Sequence, residues 1–380
     1  VLIFAANLGN KMAKNSIKAL LVATLSLFMV LFCYISKAQE ITTLPVEHHT
    51  SEKKEEGLDP AKIIMDHIKD SHEFHFFSIG NFNASIPLPI IVYSPTKGLS
   101  EFSSARFGEE GEDFYNGYGL DENKQIISSD GTAVYDFSLT KNVIQMFLAL
   151  TVLVLIMVNI AKKYKSGIGH TSAPTGFQNA IEPVITFVRD DIARPSLGKN
   201  ANKYLPYLLT VFFFILINNL FGMIPGSANV TGNTAFTLVL AVISLIVILF
   251  STNRHFWGHI FWPPGIPFLV KIILIPIELA GVLIIKPAAL MVRLFANMVA
   301  GHIIILSFVV LIFIFGAMAS IAGYGFSPLS IAFVVFIYFI EILVAFIQAF
   351  IFTVLTAVFI GQSLEDGHGA GDGHDDAITM

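Results

Sequence analysis

Two apolar runs near the C-terminal end, residues 288–320 and 329–360, are each too long to cross a bilayer upright. As helices rising about 1.5 Å per residue they would each measure about 50 Å, against a hydrocarbon core of about 30 Å. Modest tilt does not absorb that difference. The pair is therefore predicted to form a steeply tilted membrane-embedded helical hairpin, turning at "IAGYGFSP" (321–328) and presenting one long lateral face within the membrane. Further apolar runs at 143–161, 204–225, 230–250 and 266–285 supply transmembrane helices. The last is interrupted by Pro276, Glu278 and then Lys286-Pro287, and reads as a half-spanning lead into the hairpin rather than a free span. With backbone groups forced to pair internally in lipid, the fold class is an all-α polytopic membrane protein.

Composition agrees. The chain is 54% hydrophobic and 13% charged, whereas soluble domains are about one quarter charged. The net charge of −5 says little, because the acid lies mostly outside the apolar runs. No basic nucleic-acid face, phosphate-binding glycine loop, HExxH or GxSxG is present, so neither a nucleic-acid partner nor a cofactor is expected.

Lys11, Lys14 and Lys18 precede "ALLVATLSLFMVLFCYI" and then "SKAQE". This basic, apolar, small-residue order reads as a signal peptide over 1–38, cleaved after Ala38, with Met12 the expected start and an uncleaved anchor the alternative. The one cysteine, Cys33, falls inside it, leaving no thiol in the mature chain for disulfides or metal. Residues 39–137 are polar and mixed, and form a small exported N-terminal domain, partly β, with "NASIPLPIIVYS" as a strand or hairpin. Its histidines (His48, His49, His67, His72, His75) read as solvated surface rather than a metal site. Residues 138–362 form the membrane-embedded domain, and 363–380 an acidic, disordered tail.

Loop charge sets the orientation. The loop 162–203 carries Lys162, Lys163, Lys165, Arg189, Arg194, Lys199 and Lys203, while 226–235 and 321–328 carry no lysine or arginine. The first loop and the C-terminus are expected on the cytoplasmic side, and the N-terminal domain on the exported side.

Few groups in the hairpin carry chemistry. The first arm has Arg293, Asn297 and His302, and the second has Glu341 and Gln348. At 100° per residue Arg293 and Asn297 share a face. His302 lies half a turn round and roughly 13.5 Å further along, so it serves a different surface. Arg293 is either an ion-pair partner, for instance of Glu278, or a marker of an ion pathway, since an intramembrane arginine costs roughly 2.5–3.5 kcal/mol on insertion scales. His302 and Glu341 are either a buried pair fixing the hairpin or a proton relay. Position alone leaves both questions open.

The segments "LMVRLFANMVAGH", "PIELAGVLIIKP", "FIEILVAFIQAFIFTVLTAVFIG", "FVRDDIARPSLG" and "ILINNLFGMIPG" together resemble subunit a of the F-type ATP synthase, the ion-conducting stator beside the rotating c-ring. The likeness covers about residues 138–362. The long exported N-terminal region suggests a bacterial branch such as the Bacteroidetes. The resemblance implies a non-catalytic, proton-translocating subunit of the bacterial inner membrane. Its implied partners are the c-ring, the peripheral stalk subunit b, membrane lipid and protons. It further implies that Arg293 is the stator arginine facing the c-ring carboxylate. Asn297, Gln348, Asn219, His302 and Glu341 would line the proton path, with Glu278 toward the cytoplasmic exit. Two departures stand out. His302 and Glu341 are exchanged relative to the familiar order, and Gly222 replaces an aspartate seen in some members. The rival reading, a secondary transporter with broken helices and a midplane site, predicts an internal repeat, and none is found.

Overall fold

The computed structural model describes residues 70–79, 82–107, 114–121, 125–167, 176–224, 227–252, 254–261, 267–318 and 320–364. The signal peptide and the acidic tail expected from the sequence lie outside these residues, as do His48, His49 and His67.

The N-terminal part is β. Strands β1 (Glu73–Ile79) and β2 (Phe82–Pro87) pair with each other. β3 (Pro89–Ser94) lies between β4 (Gly98–Ser103) and β7 (Tyr135–Asp136), and β5 (Tyr118–Leu120) pairs with β6 (Ile126–Ser128). The stretch "NASIPLPIIVYS" is thus not a hairpin. It divides into β2 and β3, which pair with different partners. Pro87 and Pro89 flank the crossing point, where a missing donor ends ladder pairing. Between them Leu88 is held by its N–H to Ser104 Oγ at 3.0 Å and to the His72 carbonyl at 3.2 Å. Inward alternation on β3 places Ile90 and Val92 against Phe107, Tyr118 and Ile126 as a small core.

His72 departs from the solvated reading of the histidines. It is buried, and its Nε2 lies 2.8 Å from Asp136 Oδ2, joining the start of the domain to its end. Burial pushes the Asp136 carboxyl up, but the hydrogen bond and charge of His72 outweigh it, and the group sits below the usual carboxylate range. A lowered carboxylate stabilises the fold above its unfolded pKa, and that contribution disappears as pH falls through the folded value. Burial raises Asp70 instead, so its contribution has the opposite sign and is lost as pH rises through the raised value. Asp70 Oδ1 accepts from Ser71 N–H at 3.0 Å and from Asn142 N–H at 3.4 Å, and Lys141 N–H donates to the Ser71 carbonyl at 3.0 Å. The β domain is in this way stapled to the first membrane helix through donors that the helix start would otherwise leave unpaired. His72→Ala is expected to destabilise the β domain by about 1–3 kcal/mol, the cost of stranding a buried partner. Faster limited proteolysis within 70–137 of the membrane-bound chain would register it.

The membrane part is helical: α1 (Lys141–Lys165), α2 (Phe177–Phe187), a π-helical segment (Val188–Ala193), α3 (Arg194–Leu197), α4 (Ala201–Gly222), α5 (Thr234–Ser251), α6 (Arg254–Phe261), α7 (Phe268–Ala280), a second π-helical segment (Gly281–Ile285), α8 (Lys286–Met318) and α9 (Ser320–Leu364). Among the described residues, five stretches are long and apolar enough to cross a membrane: Lys141–Lys165, Phe177–Gly222, Thr234–Ser251, Val270–Ala317 and Tyr324–Leu364. α4 is central, with Leu208, Phe212 and Ile215 fully buried, and it packs against α1, α9 and the first π segment.

The hairpin arms are α8 and α9. Leu290, Leu294, Met298 and Ile305 form the buried stripe of α8 at helical spacing, and Ala345, Ala349 and Phe352 that of α9. The turn falls earlier than expected. α8 ends at Met318 and α9 begins at Ser320, so "IAGYGFSP" is helical and Pro328 lies inside α9. In apolar surroundings an unpaired backbone group costs several kcal/mol, more than the poor helix propensity of glycine. The arms also stay in register here, with Phe315 against Phe326 (4.8 Å between ring centroids) and Phe308 stacked on Phe333 (5.3 Å).

The run 266–285 passes through the second π segment into α8 without a break, giving one apolar stretch of 48 residues from Val270 to Ala317. The wider π turn precedes Pro287, whose missing N–H an α-helix would have to absorb. The basic stretch 162–203, expected as a loop, is largely helical over its described part. Arg189 and Arg194 both bridge Asp190, at 2.6 and 2.7 Å, so the charges answer one another while Val188, Ile192, Ala193 and Leu197 face inward. Gly361 of α9 lies against this segment, where a Cβ would come within 2.2 Å of the Ser196 carbonyl.

Candidate functional site: a buried imidazole and carboxylate across the hairpin

His302 and Glu341 meet across the hairpin. His302 Nδ1 lies 3.2 Å from Glu341 Oε1, with the two side chains 16% and 4% exposed. The distance is that of an ion pair, but the angle is not that of a hydrogen bond, and both Glu341 oxygens lack a protein donor among the described residues. His302 Nε2 lies 2.9 Å from the Gly222 carbonyl. A carbonyl only accepts, so this nitrogen carries the hydrogen. Nδ1 then faces the carboxylate.

Gly222 is the last residue of α4, where carbonyls have no partner within the helix. Gly222, with no side chain to offer, thus still supplies an acceptor from its backbone. Gly301 provides the room for Glu341, because a Cβ there would stand 2.7 Å from Oε1 and 3.2 Å from Cδ.

The amides lie around this pair. Asn219 is fully buried, and its Nδ2 donates to the Ala345 carbonyl at 3.2 Å while its Oδ1 has no protein partner. Asn297 Nδ2 donates to Gln348 Oε1 at 2.9 Å, leaving Gln348 Nε2 unpaired. Asn142 Oδ1, Asn218 Oδ1, Asn229 Nδ2 and Thr231 Oγ1 are also buried without a partner among the described residues. Buried polar atoms of this kind are ordinarily satisfied by water.

Arg293 stands apart. It is exposed, as is Asn297 one turn on, and it forms no ion pair with any described carboxylate. The suggested pairing with Glu278 is therefore not made. Glu278 is half-buried on α7, fifteen positions earlier and about 22 Å along a continuous helix. The sequence-derived residues thus fall into three places: His302, Glu341, Asn219 and Gln348 inside, Arg293 and Asn297 on the outer face, and Glu278 further along. No group of three His, Cys, Asp or Glu among the described residues is placed to hold a metal ion.

Residues 143–361 match the family model described as ATP synthase A chain. This chain belongs to the ATP synthase A chain family. It is 42% identical over 251 residues to ATP synthase subunit a of Chloroherpeton thalassium, covering 63% of this chain and 72% of that one. It is 43% identical over 246 residues to ATP synthase subunit a of Chlorobium phaeobacteroides strain BS1, covering 63% and 70%. Both relatives come from Chlorobi, in the Bacteroidetes group. As a subunit a, the chain is a multi-pass, ion-translocating membrane component of the ATP synthase rather than its nucleotide-chemistry subunit, and the secondary-transporter reading finds no support. Residues 63–145 match a second family, Domain of unknown function (DUF8433), which spans the β domain and its junction with α1.

Two contributors escaped the sequence reading, the Gly222 carbonyl and Gly301, and a buried polar residue outside the hairpin, Gln145 of α1, escaped it too. Gln145 alone left a visible signal, a glutamine inside an apolar run.

Proposed function

We propose that this subunit a conducts protons through two offset half-channels and that Arg293 separates them. The observation that carries the reading is a division on α8: His302 turns inward to Glu341 and Gly222, while Arg293, nine positions earlier, faces outward and pairs with no carboxylate among the described residues. An unpaired cation on a membrane-embedded face calls for a carboxylate from outside the chain. A c-ring carboxylate meets that requirement, and Arg293 favours its ionised form as it passes. Protons from the exported side reach the ring past Asn219, His302, Glu341 and Gln348, and leave to the cytoplasm past Glu278. The pair relays by taking a proton between Nδ1 and Oε1 and releasing it toward the ring. The peripheral stalk subunit b holds the chain against the ring. The β domain lies on the exported side, and the C-terminus and the basic segment on the cytoplasmic side.

Mild-detergent purification followed by mass spectrometry tests the assembly. Recovery of the chain with a ring of small carboxylate-bearing subunits and a nucleotide-hydrolysing head is the expected result, and recovery without a ring would overturn the reading. For the channel, Gly301→Ala is expected to reduce passive proton conductance of the assembled membrane sector about tenfold. The added methyl cannot sit 2.7 Å from Glu341 Oε1, and such overpacking costs about 1–3 kcal/mol. Conductance measured in vesicles at matched amounts of complex provides the check.

A further inference from the structure

Gln145 lies on α1, outside the hairpin, and is 3% exposed in an otherwise apolar stretch. Its Oε1 accepts from the Ala228 N–H at 2.7 Å, and its Nε2 donates to the Ala228 carbonyl. One amide side chain thereby satisfies both backbone groups of a fully buried residue. Ala228 belongs to the link between α4 and α5, and its neighbours on both sides engage the end of α4. Ser227 Oγ donates to the Phe221 carbonyl at 2.5 Å, and the Ser227 N–H donates to the Ile224 carbonyl at 3.0 Å. On the other side Asn229 folds over Gly222, where a Cβ would lie 3.4 Å from Asn229 Oδ1 and 3.7 Å from the Ala228 carbonyl. The Gly222 carbonyl is the one that takes the His302 Nε2 hydrogen.

We infer that Gln145 is a positioning residue for proton transfer: by clamping Ala228 it sets the Gly222 carbonyl, and through it the ring orientation of His302 toward Glu341. The inference rests on the reading of His302 and Glu341 as the relay. Its physical basis is that a buried backbone amide and carbonyl without partners cannot stay where they are. Removing the clamp shifts Ala228 and, with it, the segment seated against Gly222. His302 then loses its fixed acceptor, and the side of the ring that meets Glu341 is no longer set.

The groups that face His302 keep the titration simple. From α9 it meets Glu341, whose titratable neighbour on that arm is Tyr338. α5 carries no ionisable side chain from Thr234 to Ser251, and α4 none from Thr210 to Gly222. On α1 the nearest is Lys141, one turn before Gln145.

The test is passive proton conductance of vesicles carrying the whole complex, measured against pH for wild type, Gln145→Leu, Gln145→Asn and Glu341→Gln. Leucine keeps the volume without hydrogen bonds, and asparagine is too short to reach both groups. Both are expected to move the midpoint of the pH profile by about 0.5 to 1 unit, the scale of one hydrogen bond to a titrating group. Faster hydrogen exchange at the Ala228 amide is expected alongside. A Gln145→Leu profile that superimposes on wild type per assembled complex, or that falls by one factor at every pH, overturns the positioning role. Where Gln145→Leu does not assemble, Gln145→Asn decides by the same criterion. Glu341→Gln separates the two readings. A wild-type profile in that variant removes the relay and the inference with it, whereas a flattened profile beside an unshifted Gln145→Leu removes the clamp alone.

Discussion

Arg293→Ala is expected to reduce ATP-driven proton pumping in inverted vesicles to background while leaving the amount of assembled complex near wild type. Arg293 is exposed on the outer face of α8 and pairs with no carboxylate among the described residues. A cation at membrane depth costs roughly 2.5–3.5 kcal/mol on insertion scales. Deleting a side chain that pairs with no described carboxylate strands no partner among the described residues, so folding is spared. On the proposed reading, what is lost is the charge that keeps the two aqueous paths from joining along the ring. Passive leak through the complex should rise as pumping falls. Arg293→Lys is expected to be severely impaired too. A compact, strongly hydrated ammonium loses the planar multi-donor fork and gives up its proton more readily in apolar surroundings. Near-normal pumping by the alanine variant would sink the separator role, and loss of the complex itself would point to a structural arginine.

The second large effect concerns the exchanged pair. His302→Glu alone places two carboxylates across the hairpin, and Glu341→His alone places two imidazoles there. Either change leaves a buried group without its complement, a loss of about 3–5 kcal/mol for buried pairs. If it falls on the transfer step, that is roughly a 150- to 5000-fold slower rate. The double exchange restores one group of each kind at 3.2 Å separation, and is expected to return passive proton conductance to within about tenfold of wild type. Recovery is expected to be incomplete, because the Gly222 carbonyl that takes the His302 Nε2 hydrogen has no donor when a glutamate replaces the ring. A double variant no better than the worse single would mean that the two residues do not act as a unit.

Apolar run length made the hairpin legible, because a bilayer has a thickness and a helix has a rise. Helical phase likewise separated the surface of Arg293 from that of His302, as the structure has them. The turn was misplaced at 321–328 because glycine and proline mark loops in water, whereas in lipid the backbone keeps its helix and the ring pairs Phe315/Phe326 and Phe308/Phe333 carry the arms past the signal. The basic stretch before α4 looked like a loop because its charges are dense. Its neutralisation around Asp190 depends on Arg189 and Arg194 being brought to one side, which a π-helical segment does and which no periodicity announced. Backbone acceptors and steric vacancies, such as the Gly222 carbonyl and the space over Gly301, have no letter of their own in a sequence. His72 was misread for a related reason: its partner lies 64 positions away.

The unbroken course of α9 has a mechanical consequence. In the proposed arrangement a rotor presses sideways on the hairpin and loads it as a beam, and a beam with a joint at its midpoint would bend at every step instead of passing the thrust on. From Ser320 to Leu364 there is no such joint, and at the far end Gly361 brings the rod against the Ser196 backbone without an intervening side chain to compress. Stiffness of that kind sets how much of each ion's work is stored as flexure and returned late, and how much arrives as rotation at once.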